Sequence, residues 1–144
     1  MLEKILAAFE GDICNRRFAI WGLSFKPNTD DIREAPSRYL IEGVLNRGAT
    51  VCAYDPVAMH EARLVFGARV DFAAKGNDAL IGADALIIMT EWKEFQSPNF
   101  ERLAETLKSK RIFDGRNLFD PDICREYGLI YEGIGRGVPS PAMQ

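Results

Sequence analysis

The chain has 144 residues, of which 47% are hydrophobic and 27% are charged. That length and balance are typical of one globular domain with a continuous core, and they exclude an intrinsically disordered chain. The formal net charge of -3 argues against a broad cationic surface for nucleic acid or acidic lipid. An anionic ligand must therefore be met by a few placed cations, which favours a small molecule that carries phosphate.

The sequence shows neither a targeting signal nor a cysteine spacing typical of a disulfide framework or a zinc site. The N-terminal stretch has no basic region followed by a long apolar run, so no signal peptide or membrane span is predicted and the expected location is the cytoplasm. Cys14, Cys52 and Cys124 are an odd number of cysteines at wide spacing beside a single histidine, which argues against a disulfide framework and a zinc site. Each is predicted to be structural, and Cys52 lies in an apolar strand pattern.

The first half of the chain predicts a β-α-β unit. Residues 2–9 carry one apolar helical stripe that stops at Gly11, so this helix either docks on the domain or continues a longer one from upstream. The run 17–22 is almost continuously apolar and predicts a strand that is buried on both faces. Pro36 suits the first turn of a second helix that stops at Gly48, and a second strand follows at 50–54. A unit of this size implies two parallel strands with a right-handed crossover.

The second half repeats the alternation. The predicted elements, in order, are a helix at 59–66, a weak strand at 68–72, a helix at 77–82, a strand at 85–89, a helix at 100–107, a strand at 111–113, a helix capped by Asp120 or Asp122 and ending at Tyr127, and a strand at 129–131. The tail from Gly133 is expected to be extended or frayed. These elements predict an α/β fold in three layers, a doubly wound, mostly parallel sheet of about six strands.

Ligands of such sheets bind beyond the carboxyl ends of the strands. The loops after the first, second, fourth and fifth strands share that edge. The candidate side chains that they bring together are Lys26, Arg33, Asp55, Thr90, Glu91, Trp92, Asp114 and Arg116.

A dinucleotide site is one interpretation of this edge, because Gly22 follows the first strand and the second ends in Asp55, as a ribose-binding carboxylate would. The fingerprint G-x-G-x-x-G is absent, however, and the side chains of residues 23–26 would crowd a pyrophosphate lying against bare backbone. The remaining prediction is a site that holds phosphate by side-chain cations. Lys26 offers a mobile point charge and Arg116 a planar fork.

Each candidate also has a purely structural interpretation. Lys26 could be a solvated loop residue, Arg33 could pair with Asp30 or Asp31, and Arg116 could cover a strand end. The two aspartates are expected to start the helix or order the loop rather than to act as acid-base groups. The aromatic residues Trp92 and Phe95 are expected in the core.

Residues 22–37 read Gly-Leu-Ser-Phe-Lys-Pro-Asn-Thr-Asp-Asp-Ile-Arg-Glu-Ala-Pro-Ser, and further blocks are Gly-Ala-Thr-Val at 48–51, Ala-Tyr-Asp-Pro at 53–56, Thr-Glu-Trp-Lys-Glu-Phe at 90–95 and Asp-Gly-Arg-Asn at 114–117. The first closely resembles the signature G-L-x-F-K-x-x-T-D-D-x-R-x-x-P-S of the C-terminal UDP-binding domain of UDP-glucose 6-dehydrogenases, and the others continue the match. The resemblance covers roughly residues 15–137 and implies a Rossmann-like fold. It divides the chain into an N-terminal docking helix and lead-in at 1–14, the UDP-sugar-binding domain at 15–137 and a frayed tail at 138–144.

Enzymes of that family join an N-terminal NAD-binding domain and a central helical dimerisation segment to this domain, and they oxidise UDP-glucose to UDP-glucuronate with two NAD. The resemblance implies that Phe25 and Lys26 contact the nucleotide sugar, that Arg116 holds the substrate, and that Arg33 reaches an NAD bound mainly by the other domain. It also implies a homodimer for the full enzyme. Sister families that act on GDP-mannose or UDP-N-acetylmannosamine share the fold, but Pro27-Asn28 and the blocks at 90–95 and 114–117 look more like the UDP-glucose branch.

The family's catalytic cysteine lies in a Gly-rich Cys-Phe-Pro-Lys-Asp context, and no cysteine of this chain has such neighbours. With the NAD fingerprint also missing, the chain resembles an isolated C-terminal domain, an expressed fragment that holds no catalytic residue and no metal and is inactive alone. The alternative that stays open is a stand-alone regulatory or interaction module that keeps the fold and binds no nucleotide sugar.

Overall fold

The computed structural model describes residues 1–134. Helices and strands alternate along them, because apolar runs are separated by turns that glycine, proline and aspartate favour. The elements are α1 (Leu2–Ala8), β1 (Arg17–Trp21), α2 (Pro36–Leu45), β2 (Thr50–Tyr54), α3 (Met59–Phe66), β3 (Asp71–Phe72), α4 (Gly76–Ala79), β4 (Ala85–Ile88), α5 (Phe100–Thr106), β5 (Arg111–Asp114), α6 (Pro121–Glu126) and β6 (Ile130–Gly133). Short 3-10 turns lie at Gly67–Arg69 and Lys93–Phe95.

The strands form one six-stranded sheet in the order β3-β2-β1-β4-β5-β6. Every pair of neighbouring strands is parallel, which confirms the doubly wound α/β fold and its Rossmann-like class. From β1 the chain adds β2 and then β3 toward one edge of the sheet. It then returns to place β4 on the other side of β1, toward the opposite edge. The switch in strand order therefore falls between β1 and β4, where folds of this kind bind their ligands.

Successive strand residues supply the two apolar layers in turn, as the two-residue period of a strand requires. Phe18 and Ile20 of β1 are buried against the side covered by α1, α2 and α3. Trp21 lies in the other core, together with buried residues of α4, α5 and α6. The expected docking of the first helix is observed, because Ile5 of α1 is fully buried in the first of these cores.

Several predicted boundaries are wrong, and the helix predicted at 77–82 is the shorter α4 at Gly76–Ala79. The third strand was expected over 68–72, but only Asp71–Phe72 pairs with β2, because the chain first makes a 3-10 turn at Gly67–Arg69. Gly133, expected to begin the tail, is instead the last residue of β6 and is paired with Asp114. The rest of the predicted tail, from residue 135 onward, lies outside the described residues.

A search of helices within residues 1–134 finds none that combines the length and the apolar character needed to cross a bilayer.

Candidate functional site

The loop after β1 packs directly on the loop after β4. Gly22 ends the strand with φ of +98°, and a Cβ at this position would lie 2.5 Å from the Thr90 amide nitrogen. Such a distance is far inside van der Waals contact, so only glycine allows the two loops to meet. The need for glycine here comes from packing within the protein rather than from a pyrophosphate.

Asp55 stabilises the same loop from β2. Its carboxylate is fully buried and accepts hydrogen bonds from the amide groups of Leu23 (2.7 Å) and Ser24 (3.1 Å). It also accepts from the amides of Val57 and Ala58, both at 2.8 Å, in the turn that follows. The dinucleotide interpretation requires this carboxylate to bind a ribose. Its oxygens instead accept hydrogen bonds within the protein, so it is not available to a ribose.

The first four amides of the β1 loop, those of residues 22–25, form no anion cradle. The Gly22 amide donates to the Tyr54 carbonyl, and the Phe25 amide donates to the Asp31 carbonyl, both at 2.8 Å. Together with the two amides held by Asp55, every N–H from Gly22 to Phe25 is bonded inside the protein. These four amides are not available to a phosphate, so the side chains at this edge remain the predicted phosphate ligands.

Three hydroxyl groups fix the carbonyl side of the loop. Ser37 Oγ donates to the Leu23 carbonyl and Thr90 Oγ1 donates to the Ser24 carbonyl, both at 2.7 Å. Ser24 Oγ donates to the Lys26 carbonyl at 2.9 Å. With its backbone held in this way, the start of the loop presents Phe25, at 48% exposure, and the exposed Lys26 to solvent.

Arg116 reaches this loop from β5. Its Nε donates to the Met89 carbonyl at 3.1 Å, and its Nη2 donates to the Phe25 carbonyl at 3.3 Å. Glu91 lies beside it, with Oε2 at 3.7 Å from Nε. Arg116 therefore covers a strand end, as the structural interpretation expects. The same contacts also bring its guanidinium to the Phe25–Lys26 loop.

Asp114, which is one of the candidate site residues, has a structural role. It is fully buried and accepts from the amides of Arg116, Leu118 and Phe119 and from the Tyr131 hydroxyl. Its bond to the Arg116 amide, at 2.9 Å, sets the backbone from which that arginine projects.

Arg33 occupies a different surface. Its guanidinium is 84% exposed and grips Asp31 at both ends, with Nε and Nη2 each 3.2 Å from a carboxylate oxygen. The side-chain hydrogen bond from Arg33 lowers the pKa of Asp31. Asp31 also accepts from the Arg33 amide, so it orders the loop as expected, but neither Asp30 nor Asp31 starts α2, whose N-cap is Ala35.

Arg33 lines a surface groove of about 340 Å³. The other lining residues are Asp30, Asp31, Ile32, Arg38, Glu61, Leu64 and Val65. The lining contains none of Phe25, Lys26 and Arg116, so the structure brings three of the predicted site residues together and leaves the fourth on another groove.

A second groove, of about 350 Å³, lies at the ends of β1 and β2. It is lined in part by Trp21, Tyr54 and Glu94, and the Tyr54 hydroxyl donates to Glu94 at 2.9 Å. Burial and the Glu94 carboxylate raise the pKa of Tyr54 to about 12. This hydroxyl remains protonated at neutral pH, as a donor held by Glu94.

The aromatic residues expected in the core are there, with Trp92 at 8% and Phe95 at 2% exposure. Sequence reasoning missed the second role of Trp92, whose indole N–H donates to Asp55 at 3.1 Å. It also missed the hydroxyl of Ser37, and it named Thr90 as a candidate without its bond to the Ser24 carbonyl. Both residues lie in blocks of the family signature, which was the available signal. Of the three cysteines, Cys52 and Cys124 are buried and Cys14 is exposed.

A parallel sheet with this strand order, and with exposed cations on rigid loops beside the switch point, defines a Rossmann-like α/β domain whose candidate ligand site is built from side chains. The model of the UDP-glucose/GDP-mannose dehydrogenase family, UDP binding domain, matches residues 19–121. The chain belongs to this family, as the resemblance of the sequence blocks predicts.

Relatives of the chain carry the names of UDP-sugar dehydrogenases. It is 42% identical over 141 residues to the UDP-glucose 6-dehydrogenase of Pseudomonas aeruginosa, a match that covers 94% of this chain and 31% of that protein. A UDP-glucose dehydrogenase structure from Pyrobaculum islandicum aligns with a TM-score of 0.77 at 31% identity, over 94% of this chain and 29% of the other. The UDP-D-ManNAc dehydrogenase of Pyrococcus horikoshii aligns with a TM-score of 0.71, also at 31% identity, over 94% and 29%. The chain thus spans about a third of the length of the curated relatives that it matches.

Proposed function

We propose that this chain is the UDP-sugar-binding C-terminal domain of an NAD-dependent UDP-glucose 6-dehydrogenase, the enzyme that oxidises UDP-glucose to UDP-glucuronate. The observation that carries the proposal is the contact of Arg116 Nη2 with the Phe25 carbonyl, at 3.3 Å. It joins the two separate sequence blocks that hold the predicted substrate residues. The 42% identity to a protein described as a UDP-glucose 6-dehydrogenase supports the choice of this branch over the sister families.

Each of the three residues has a distinct task in this proposal. Lys26 and Arg116 bind the diphosphate, because the amides of residues 22–25 are already bonded within the protein and these two side chains supply positive charge beside them. Phe25, whose ring is half exposed, packs against the nucleotide. The backbone bonds of Asp55, Ser37 and Thr90 hold these side chains in place before the ligand arrives.

The start of the β1 loop offers no pyrophosphate cradle for NAD, since the amides of residues 22–25 are bonded within the protein. The domain would meet the cofactor through Arg33, which is exposed and already oriented by Asp31. When bound, NAD accepts the hydride that leaves the substrate. The proposal therefore requires the NAD-binding and central domains of the same enzyme, and it includes a homodimer of the full protein.

Calorimetry with UDP and UDP-glucose tests the site. We expect weak binding that Arg116→Ala or Lys26→Ala weakens by about 1.5 to 3 kcal/mol, or roughly 10- to 150-fold in Kd, because each change removes a charge-assisted contact. Arg125→Ala and Lys108→Ala are matched controls, since both residues are exposed, lie on other parts of the surface and should leave Kd unchanged.

Three results would count against the proposal. Equal binding of GDP-mannose would remove the preference for UDP-glucose, and equal effects of the test and control variants would move the site elsewhere. Absence of binding would favour the alternative, a regulatory or interaction module. Formation of NADH by this chain with UDP-glucose and NAD would contradict the expectation that it is inactive alone.

A further inference from the structure

Glu91 is held at one fixed place on the edge of the sheet. The residue before it, Thr90, is fully buried and bonded to the Ser24 carbonyl at 2.7 Å. The residue after it, Trp92, is buried and bonded to Asp55 at 3.1 Å. The Glu91 side chain is 39% exposed, so it projects outward from a backbone that is fixed on both sides.

This carboxylate stands beside the cation that the proposed function assigns to the substrate. Glu91 Oε2 is 3.7 Å from Nε of Arg116, while the Arg116 guanidinium also bonds the Met89 and Phe25 carbonyls. Within residues 1–134 no hydrogen bond is recorded for Nη1 of Arg116, which leaves it for a ligand. An anion bound to that group must also lie close to the negative charge of Glu91.

A carboxylate at this position has opposite effects on two classes of nucleotide. The terminal phosphate of a nucleoside diphosphate brings a further negative charge, which Glu91 repels. In a sugar nucleotide that phosphate is esterified, so its charge is lower, and the attached sugar carries hydroxyl groups that donate to a carboxylate.

We propose that Glu91 is a specificity-determining residue that makes the site prefer sugar nucleotides over the bare nucleoside diphosphate. This inference rests on the proposed function, because it needs the diphosphate to lie on Arg116. Glu91 lowers the affinity for every anion and recovers part of that loss only when a sugar hydroxyl is present.

The test compares Kd for UDP and for UDP-glucose in the wild-type chain, Glu91→Gln, Glu91→Asp and the control Glu105→Gln, which removes the same charge from an exposed position of α5. For Glu91→Gln we expect UDP to bind about three- to tenfold more tightly at low salt, with UDP-glucose unchanged or weaker. The gain for UDP should shrink at high salt, since it is electrostatic. Glu91→Asp keeps the charge and should keep a ratio of the two constants near that of wild type, as should Glu105→Gln.

The outcomes separate the two proposals. If wild type binds neither ligand, the proposed function fails and this inference fails with it. If wild type binds both and Glu91→Gln leaves the ratio unchanged, or if Glu105→Gln changes it equally, only the inference about Glu91 is overturned. Equal melting temperatures of the four proteins would show that a changed ratio does not come from a damaged fold.

Discussion

Two buried aspartates, Asp55 and Asp114, occupy similar places at the carboxyl ends of β2 and β5. Each accepts amide N–H groups of the turn that follows its strand. Asp55 also accepts two amides from the neighbouring β1 loop. A tight turn in a protein interior leaves N–H groups that helices and strands do not satisfy, and an ionised carboxylate can accept several of them at once. The geometry of the candidate site therefore depends on two carboxylates that are fully buried inside the protein.

Asp55→Asn tests this dependence. The new NH₂ group would face amide donors in place of an acceptor, so we expect the free energy of unfolding to fall by about 3 kcal/mol or more. Urea denaturation followed by circular dichroism gives the value. Asp78→Asn is the control, because Asp78 is exposed on α4 and should change stability by less than about 1 kcal/mol. A loss equally small for Asp55→Asn would mean that the loops hold themselves in place without this carboxylate.

At the scale of elements, the loops after β1 and β4 pack as one unit because Gly22 has no side chain. Gly22→Ala should destabilise the fold by two separate effects. The positive φ costs about 1 to 2 kcal/mol for any L-residue, and the contact with Thr90 adds roughly 1 to 3 kcal/mol. Thermal unfolding of the variant measures the sum.

Gly82→Ala separates the two effects. Gly82 also has a positive φ, of +75°, but a Cβ there would meet nothing within 4 Å. We expect this control to show the conformational cost alone. If both variants lost the same stability, close packing of the two loops would not be the reason for glycine at position 22.

The elements themselves were largely predictable, and the roles of particular site residues were not. Continuous apolar runs such as Ala85–Ile88 identify buried parallel strands directly. The two-residue strand Asp71–Phe72 gives too short a pattern to be located. Parallel topology alone places Lys26 and Arg116 on one edge. Whether Asp55 faces a ligand or the interior depends on the direction of the loop amides. A local sequence pattern does not indicate that direction.

On the scale of the whole molecule, the sheet separates two apolar cores, and Cys52 and Cys124 lie in the one beneath α4, α5 and α6. Burial raises the pKa of the Cys52 thiol, which further lowers its reactivity. Cys14 is exposed. The chain therefore contains one thiol that is exposed to solvent and two that are buried.

Titration with a thiol reagent should show one fast and two slow groups in the native protein. The slow pair should react at least about a hundredfold more slowly than Cys14, since they become accessible only when the core opens. In denaturant all three should react alike, and Cys14→Ser should abolish the fast phase. A second fast group would show that the core beneath α4, α5 and α6 opens readily, contrary to a single cooperative fold.

The start of the β1 loop bonds the amides of residues 22–25 and the carbonyls of Leu23, Ser24 and Lys26 within the protein, so its backbone is held without a ligand. Under the proposed function, single substitutions at Phe25, Lys26 or Glu91 would alter what the edge binds while the main chain keeps its course, because none of those three side chains is among the groups that hold the loop. New preferences can thus arise one mutation at a time, without an intermediate that fails to fold. A scaffold of this kind can diversify within a lineage, and relatives with the same fold do carry the names of different sugar nucleotides.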